Sequence, residues 1–534
     1  MIHFAMTISA CDVFLTLASS LQVDILVNWL SLMDVGRLDS AICATRHRDL
    51  LLSVFKEEFC VFQEASKVNS DQILWINRRR IKLADVWLPR DFDSIDALAL
   101  FFQVTGKYLQ RLNASSIFLS QEMTEDNIRE KLTMLAICIN LQQLQLRSVD
   151  FKSVDLGPLL STYPQLENLD LSFCKNVGGE ILFDITNRVN NLRTLDIHQC
   201  KICGEVNLAL VSDNHQIQKL YLSIAKESPN MAALPLHCKA LRALYVKSIL
   251  LNDVSTVLSH CPALRVLSAS VDTTSSPRLT TETADILISL IQKLLCLHLD
   301  YGYKNILEDE HVLRLIAQCP NLKALIVTST YVSSTIESIF DAAMQIPSVN
   351  LSVHQLNTLY VESIPATTLQ RILSFCPHLT TFAFTGTLII ANSHDLMLTI
   401  GQSTITSLFL YSYNHIYSTD ILLLRNLSRL TLRCCSLTDL IVVGLVNQNP
   451  HLRVLSLTDS PNLTKNCILY IIKNCKYLEE FEFDSENPYI HFSRREGVEK
   501  NTRLQTELIQ FFRPNLKKLY IHLVEQSGNS YYYN

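Results

Sequence analysis

The sequence predicts an α/β solenoid, with parallel strands lining a concave side and helices a convex one, and three observations predict it. The first is a short strand pattern, L-x-x-L-x-L, at Leu452, Leu455 and Leu457 and again at Leu478, Phe481 and Phe483. Between the two copies, Cys467, Ile468, Ile471, Ile472 and Cys475 keep the spacing of an amphipathic helix. The second is recurrence. The leading apolar residue stands at Leu109, Leu141, Leu166, Leu192, Ile217, Leu241, Leu264, Leu294, Leu322, Leu356, Leu379, Ile405, Leu427, Leu452, Leu478 and Leu516, mostly 22 to 28 residues apart. The third is proline placement. Pro164, Pro262, Pro320, Pro377, Pro450 and Pro514 each precede a leading Leu by two residues, where proline ends a helix and presets an extended chain.

A strand and a helix repeating at this period are the signature of a leucine-rich repeat, which bends into a horseshoe. The array also accounts for the size. At 534 residues the chain exceeds one globular core, whereas each repeat buries its apolar face only against its neighbours. A 48% hydrophobic and 18% charged composition suits one long shared core, and a net charge of −5 gives no general attraction to nucleic acid or anionic membrane. Many of the sixteen cysteines keep step with the repeat. Cys138, Cys238, Cys261, Cys319, Cys376 and Cys475 lie three residues before a leading Leu, and Cys174, Cys200 and Cys435 lie eight after one. Equivalent positions in successive coils read as buried apolar sites, not as disulfide pairs. Free thiols imply a reducing compartment, cytoplasm or nucleus, and the sequons at Asn113, Asn350, Asn426 and Asn462 are read as incidental.

In chain order, residues 4–19 are apolar but lack a basic start and carry Asp12, so they do not read as a secretory signal. No stretch is long enough to span a bilayer. Residues 15–60 form a small helical unit, with Leu21, Ile25, Leu26, Trp29 and Leu30 on one face and Leu38, Ile42, Leu50, Leu51 and Phe55 on a second. So small a unit cannot bury its apolar face alone. It either caps the solenoid or offers that face to a partner. Residues 61–105 connect; Arg78, Arg79, Arg80 and Lys82 there read as the solvated basic face of an amphipathic junction. Residues 106–525 hold about sixteen repeats, with helices expected over 284–294, 311–319, 369–376 and 439–447. Residues 484–501 are read as a polar loop and 526–534 as a flexible tail.

The segment LQVDILVNWL, residues 21–30, resembles the opening helix of an F-box, and LDSAIC, residues 38–43, resembles its later L-x-x-V-C segment. The repeats are of the cysteine-containing kind that follows an F-box in the F-box/leucine-rich-repeat family, so the resemblance covers nearly the whole chain. It implies that Leu21, Asp24, Ile25, Leu26, Trp29, Leu30, Leu38 and Ile42 bind a Skp-type adaptor and its cullin complex. The repeats would then hold a protein target for ubiquitin transfer by other subunits.

Motifs of enzyme chemistry are missing: there is no P-loop, nucleophile elbow, HExxH or GxGxxG, and only twelve glycines. Cys200-Lys-Ile-Cys203 beside His198 has metal or redox spacing, but Cys200 already belongs to the repeat and no second pair completes a site. No catalytic residue, metal or cofactor is therefore assigned. The residues between the apolar ones of each strand face the concave side. That series includes Tyr221, Tyr245, His298, Tyr360 and Phe409, with Lys247, Tyr411 and Arg433 just beyond. Tyr and Arg dominate protein–protein hot spots, although aromatics also simply suit strands. Tyr221 and Tyr245 are expected to be adjacent. Two readings follow: an adaptor-bound substrate-recognition subunit, or a repeat scaffold whose N-terminal helices only cap the array.

Overall fold

The computed structural model describes residues 17–42, 48–63, 66–89, 94–119, 124–151, 154–203, 216–223, 238–249, 251–271, 288–300, 309–328, 354–361, 366–384, 393–411, 419–433, 437–458, 463–485 and 518–523. The chain forms two compact units, residues 1–249 with 259–264, and residues 250–258 with 265–534. Each is an α/β leucine-rich-repeat solenoid in which every strand pairs in parallel with the strand of the next coil. The tail at 526–534, the repeat led by Leu516 and the loop beyond Ser485 lie outside the described residues apart from the strand Lys518–Leu523.

In the first unit the ladder runs through Ser66–Lys67, Asp85–Trp87, Arg111–Asn113, Gln143–Gln145, Asn168–Asp170, Thr194–Ile197, Lys219–Ser223 and Ala243–Ile249. The second consensus Leu of each coil stacks on the next, Leu112, Leu144, Leu169, Leu195, Leu220 and Leu244 in register. All six are buried, at a gain of about 1.5–3 kcal/mol each. The sheet thus begins before residue 106. The reason is plain once seen: Leu83, Val86 and Leu88 repeat the apolar pattern with Val in the middle, and all three are buried.

Five helices precede or flank those first strands: α1 (Ser19–Asp24, continued by a wider π turn over Ile25–Trp29), α2 (Leu32–Ile42), α3 (Arg48–Lys56), α4 (Ser70–Arg79) and α5 (Ile95–Thr105). Asn69 and Gln72 close a reciprocal capping box on α4, each side chain accepting the other's backbone N–H at 2.8 Å. Arg80, in left-handed backbone with φ 53°, ends that helix. The basic cluster divides: Arg78 and Arg80 are exposed as the sequence suggests, whereas Arg79 and Lys82 turn inward. Arg79 Nε donates to buried Asp39 at 2.8 Å, and Trp75 Nε1 donates to the same oxygen at 2.9 Å. Lys82 is buried and donates to the carbonyls of Lys56 and Glu57 at the end of α3, where a helix leaves its carbonyls unpaired. Strand Val61–Phe62 pairs with Lys82–Leu83.

The second unit carries the strands Val266–Val271, Cys296–Asp300, Ala324–Thr328, Thr358–Val361, Thr381–Phe384, Ser407–Tyr411, Arg429–Arg433, Val454–Thr458, Glu480–Ser485 and Lys518–Leu523, again in parallel succession. Helices Asp309–Gln318, Ala366–Phe375, Ser393–Gly401, Asp439–Gln448 and Lys465–Asn474 lie between strands. Cys467, Ile468, Ile471 and Ile472 of the last are buried, the face that their spacing predicts.

Two backbone devices set the register in both units. The carbonyl just before a strand accepts two successive N–H groups from the next coil: Gln142 O takes Glu167 N and Asn168 N at 2.8 and 2.9 Å, and Ser428 O takes Arg453 N and Val454 N at 2.7 and 3.1 Å. Three residues before many of the leading Leu residues, another carbonyl accepts that Leu's N–H, from Cys138, Tyr163, Cys238, Cys261, Cys319, Cys376, Asn449 and Cys475 alike. The repeat cysteines therefore mark one turn position. Cys174 and Cys200, of the other series, donate their thiols to the carbonyls of Leu146 and Leu171 one coil earlier.

Candidate functional site

Because strand side chains alternate, each coil sends two or three residues to the sheet face opposite the buried leucines. This open face is the candidate site. In the first unit its central row reads Trp87, Asn113, Gln145, Asp170, Asp196, Tyr221 and Tyr245, in continuous register. Tyr221 and Tyr245 stack with ring centroids 4.4 Å apart and planes 7° from parallel, the adjacency that the repeat predicts. Lys247 follows on the same strand, opposite Ser223. Both tyrosines are half-buried, which fixes the rings and leaves edges for contact.

The other candidates lie in the second unit and divide by exposure. Tyr360 and Phe409 approach at 5.6 Å across the small Ala383, with which both are in register. Tyr360 is only 3% exposed and His298 only 4%, so neither presents contact area, contrary to their sequence assignment. His298 is held by Ser268, Oγ to Nδ1 2.8 Å, and burial pushes its pKa down to about 3. Arg433 is exposed and sits opposite Tyr411 on the neighbouring strand, while the Tyr411 side chain lies outside the described residues.

Sequence reasoning missed Trp87, 48% exposed at the head of the row; its signal was the L-x-x-V-x-L pattern around it. It also missed the polar network beside the tyrosines. Arg147 Nε meets Asp170 Oδ2 at 2.5 Å, Asp196 Oδ1 meets His198 Nδ1 at 2.5 Å, and Phe173 stands edge-on to His198 at 4.9 Å. Phe173 is 46% exposed and holds φ 62°, as Ser148 and Gln199 do at 61° and 54° in neighbouring coils. A turn two or three residues past the strand takes that conformation whatever side chain it carries.

The helical unit at the N-terminus is likewise divided. Leu26, Leu38 and Ile42 are buried with Val35, Leu51, Val54 and Phe55, a correction to their assignment as partner contacts, because the small helices need them as a core. Leu21 and Asp24 are exposed, Ile25 and Leu30 are intermediate, and the Trp29 side chain lies outside the described residues. Met33, Leu50 and Phe59 are exposed apolar neighbours in the same segment.

Among the described residues no His, Cys, Asp or Glu group is arranged to hold a metal, and no helix is long and apolar enough to cross a membrane. Burial raises the Cys200 thiol to about 12, the reverse of a reactive thiolate; the Cys203 side chain lies outside the described residues. Among the described side chains the cysteines are free thiols.

No protein-family model matches this sequence. No curated protein matches it either. Among solved structures, the chain is similar to one from the Rad7 and Elc1 complex of yeast, at 15% identity and TM-score 0.39, over 82% of this chain and 96% of that one. It is similar to an internalin of Listeria monocytogenes at 15% identity and TM-score 0.34, over 67% and 94%. A third similar structure is that of TLR13 with ssRNA13, at 17% identity and TM-score 0.38, over 76% and 52%. The fold itself rests on this chain's own strand pairings.

Proposed function

We propose that this chain is a non-catalytic protein-recognition module that holds a protein partner against the open face of its sheet. The observation that carries the reading is the stacked Tyr221–Tyr245 pair. Two large rings fixed by packing offer contact area at low entropic cost, the profile of a hot spot. In the fuller form of the proposal the N-terminal helices dock a Skp-type adaptor, and the chain is the substrate-recognition subunit of a cullin–RING ubiquitin ligase. Support for that form is the F-box resemblance of residues 21–43, together with the exposed Leu21, Met33 and Leu50. A specific observation favours the second reading, a cap. Lys82, Asp39, Trp75 and Arg79 tie α2 and α3 to the segment that begins the sheet, as a cap requires.

Co-purification with a Skp-type adaptor separates the two. Leu26→Asp would unfold the helices and say nothing about binding, so the informative variant changes the exposed pair, Leu21→Asp with Leu50→Asp. Adaptor capture by the intact chain, lost in this variant at unchanged circular dichroism, supports the ligase form. No capture by the intact chain leaves a capped scaffold. Independently, Tyr221→Ala with Tyr245→Ala should weaken partner binding by about 2 kcal/mol or more; a partner held equally well by this variant removes the open-face reading.

A further inference from the structure

On the open face of the first unit the aspartates are matched by arginines, with one exception. Asp85 is met by Arg111, its register partner, at 2.9 Å. Asp170 is met by Arg147, which lies just past the preceding strand. Asp196 repeats the position of Asp170 one strand on. The residue that repeats the position of Arg147 is Ser172. Leu146 N and Ser148 N donate to the carbonyls of Asp170 and Ser172, and Leu171 N and Phe173 N donate in the same way to those of Asp196 and His198. Residue 172 therefore stands to Asp196 as Arg147 stands to Asp170, and it brings no charge.

The consequence is visible in the local hydrogen bonds. Asp196 receives the His198 backbone N–H at 3.0 Å and meets His198 Nδ1 at 2.5 Å, both on Oδ1. Its Oδ2 has no partner among the described residues. Ser172 itself is fully buried, so Asp196 is approached over the open face and not through that position. On one side stands Tyr221, in register with Asp196 and stacked on Tyr245 by its far face. On the other stands the exposed Phe173 against His198.

We propose that this gap receives an arginine side chain of the bound partner, its guanidinium donating to Asp196 Oδ2 and lying against the Tyr221 ring. This deepens the open-face recognition reading and rests on it. Arginine fits better than lysine because the planar fork can donate to a carboxylate while stacking on an aromatic ring. The fold already makes the intramolecular equivalent once, as Arg147 on Asp170.

The test uses the full chain and a small probe, N-acetyl-Gly-Arg-Gly-amide, against its neutral citrulline counterpart, following the ring signal of His198 by NMR in histidine-labelled protein. The arginine probe should move that signal and bind about tenfold or more tightly than the citrulline one. Asp196→Asn should abolish the difference, whereas Asp170→Asn should retain it. Ser172→Arg should fill the gap from within and block the probe; since that bulky change could disturb folding, Asp196→Asn decides. Equal binding of the two probes, no movement of the His198 signal, or an arginine preference that survives Asp196→Asn overturns the proposal. Partner capture that still depends on Tyr221 and Tyr245 would then leave the open-face reading standing alone.

Discussion

His298 shows how burial turns one side chain into a pH liability. Inside the second unit it is neutral, Nδ1 against Ser268 Oγ and Nε2 unpaired, with a pKa lowered to about 3 from 6.5. The unfolded chain takes up a proton near 6.5 and the folded chain does not. The stability linked to this group is therefore complete above that pH and declines as pH falls towards 3. Between pH 7 and 5 the loss amounts to about 2 kcal/mol. It should appear as a drop in denaturation midpoint that His298→Asn lacks; an equal drop in both proteins would contradict it. The cysteines behave oppositely: burial raises Cys200, Cys319, Cys376 and Cys467 to about 12. With so little thiolate at pH 8, these four should react with a disulfide reagent about a hundredfold more slowly in the native chain than in guanidinium. Rapid labelling of any of them in folded protein would refute this. That the cysteines are buried was legible from their locked spacing. The burial of His298 and Tyr360 was not, since the strand pattern fixes which face a side chain takes and says nothing of what covers it.

Individual coils depend on a few unreplaceable contacts. Asn449 occupies the turn position that cysteine fills elsewhere and does more there. Its Oδ1 accepts Leu427 N at 2.9 Å, and its Nδ2 donates to Leu424 O and Leu445 O at 3.1 and 2.9 Å, all buried. Asn449→Ala strands those groups and should cost about 2–4 kcal/mol in chemical denaturation; a loss of about 0.5 kcal/mol or less, the size of an ordinary surface change, would show that water replaces them. Gly401 closes helix Ser393–Gly401 against the backbone, and a Cβ there would lie 2.2 Å from Leu423 O. Gly401→Ala should therefore lower the melting temperature distinctly. Gly444→Ala, whose Cβ would meet only the end of the Leu422 side chain at 2.8 Å, should change it little. Helices Ala366–Phe375 and Asp439–Gln448 were readable from their apolar spacing, to within a few residues. The sheet's first strands were not: Ser66–Lys67 is only two residues long, and around Asp85–Trp87 the repeat carries Val86 where the other early coils carry Leu.

Across the whole chain, the three tryptophans all stand within the first ninety residues, at 29, 75 and 87, whereas helices and strands run through both compact units. A repeat array couples each coil chiefly to its neighbours, so unfolding should not be all-or-none. Urea transitions followed by tryptophan fluorescence and by circular dichroism should fail to coincide; superimposable curves would mean that the array melts as one body. What sequence could tell at this scale was the repeat and the alternatives for its N-terminus. It could not tell which of the apolar residues at 21–42 form the helical core, since the same amphipathic pattern serves both a buried face and a docking one.

The pairing of neighbouring coils through main-chain carbonyls has an evolutionary implication. The carbonyls before the strands, from Gln142, Glu167 and Arg193 to Thr406, Ser428 and Arg453, each accept two N–H groups with no call on the side chain they carry. Alignment of the coils is thus indifferent to the identity of the outward residues. A lineage can rewrite the open face one position at a time, trading Asp for Tyr or Ser for Arg, while the scaffold beneath keeps its alignment. Recognition and folding are inherited on separate sets of atoms.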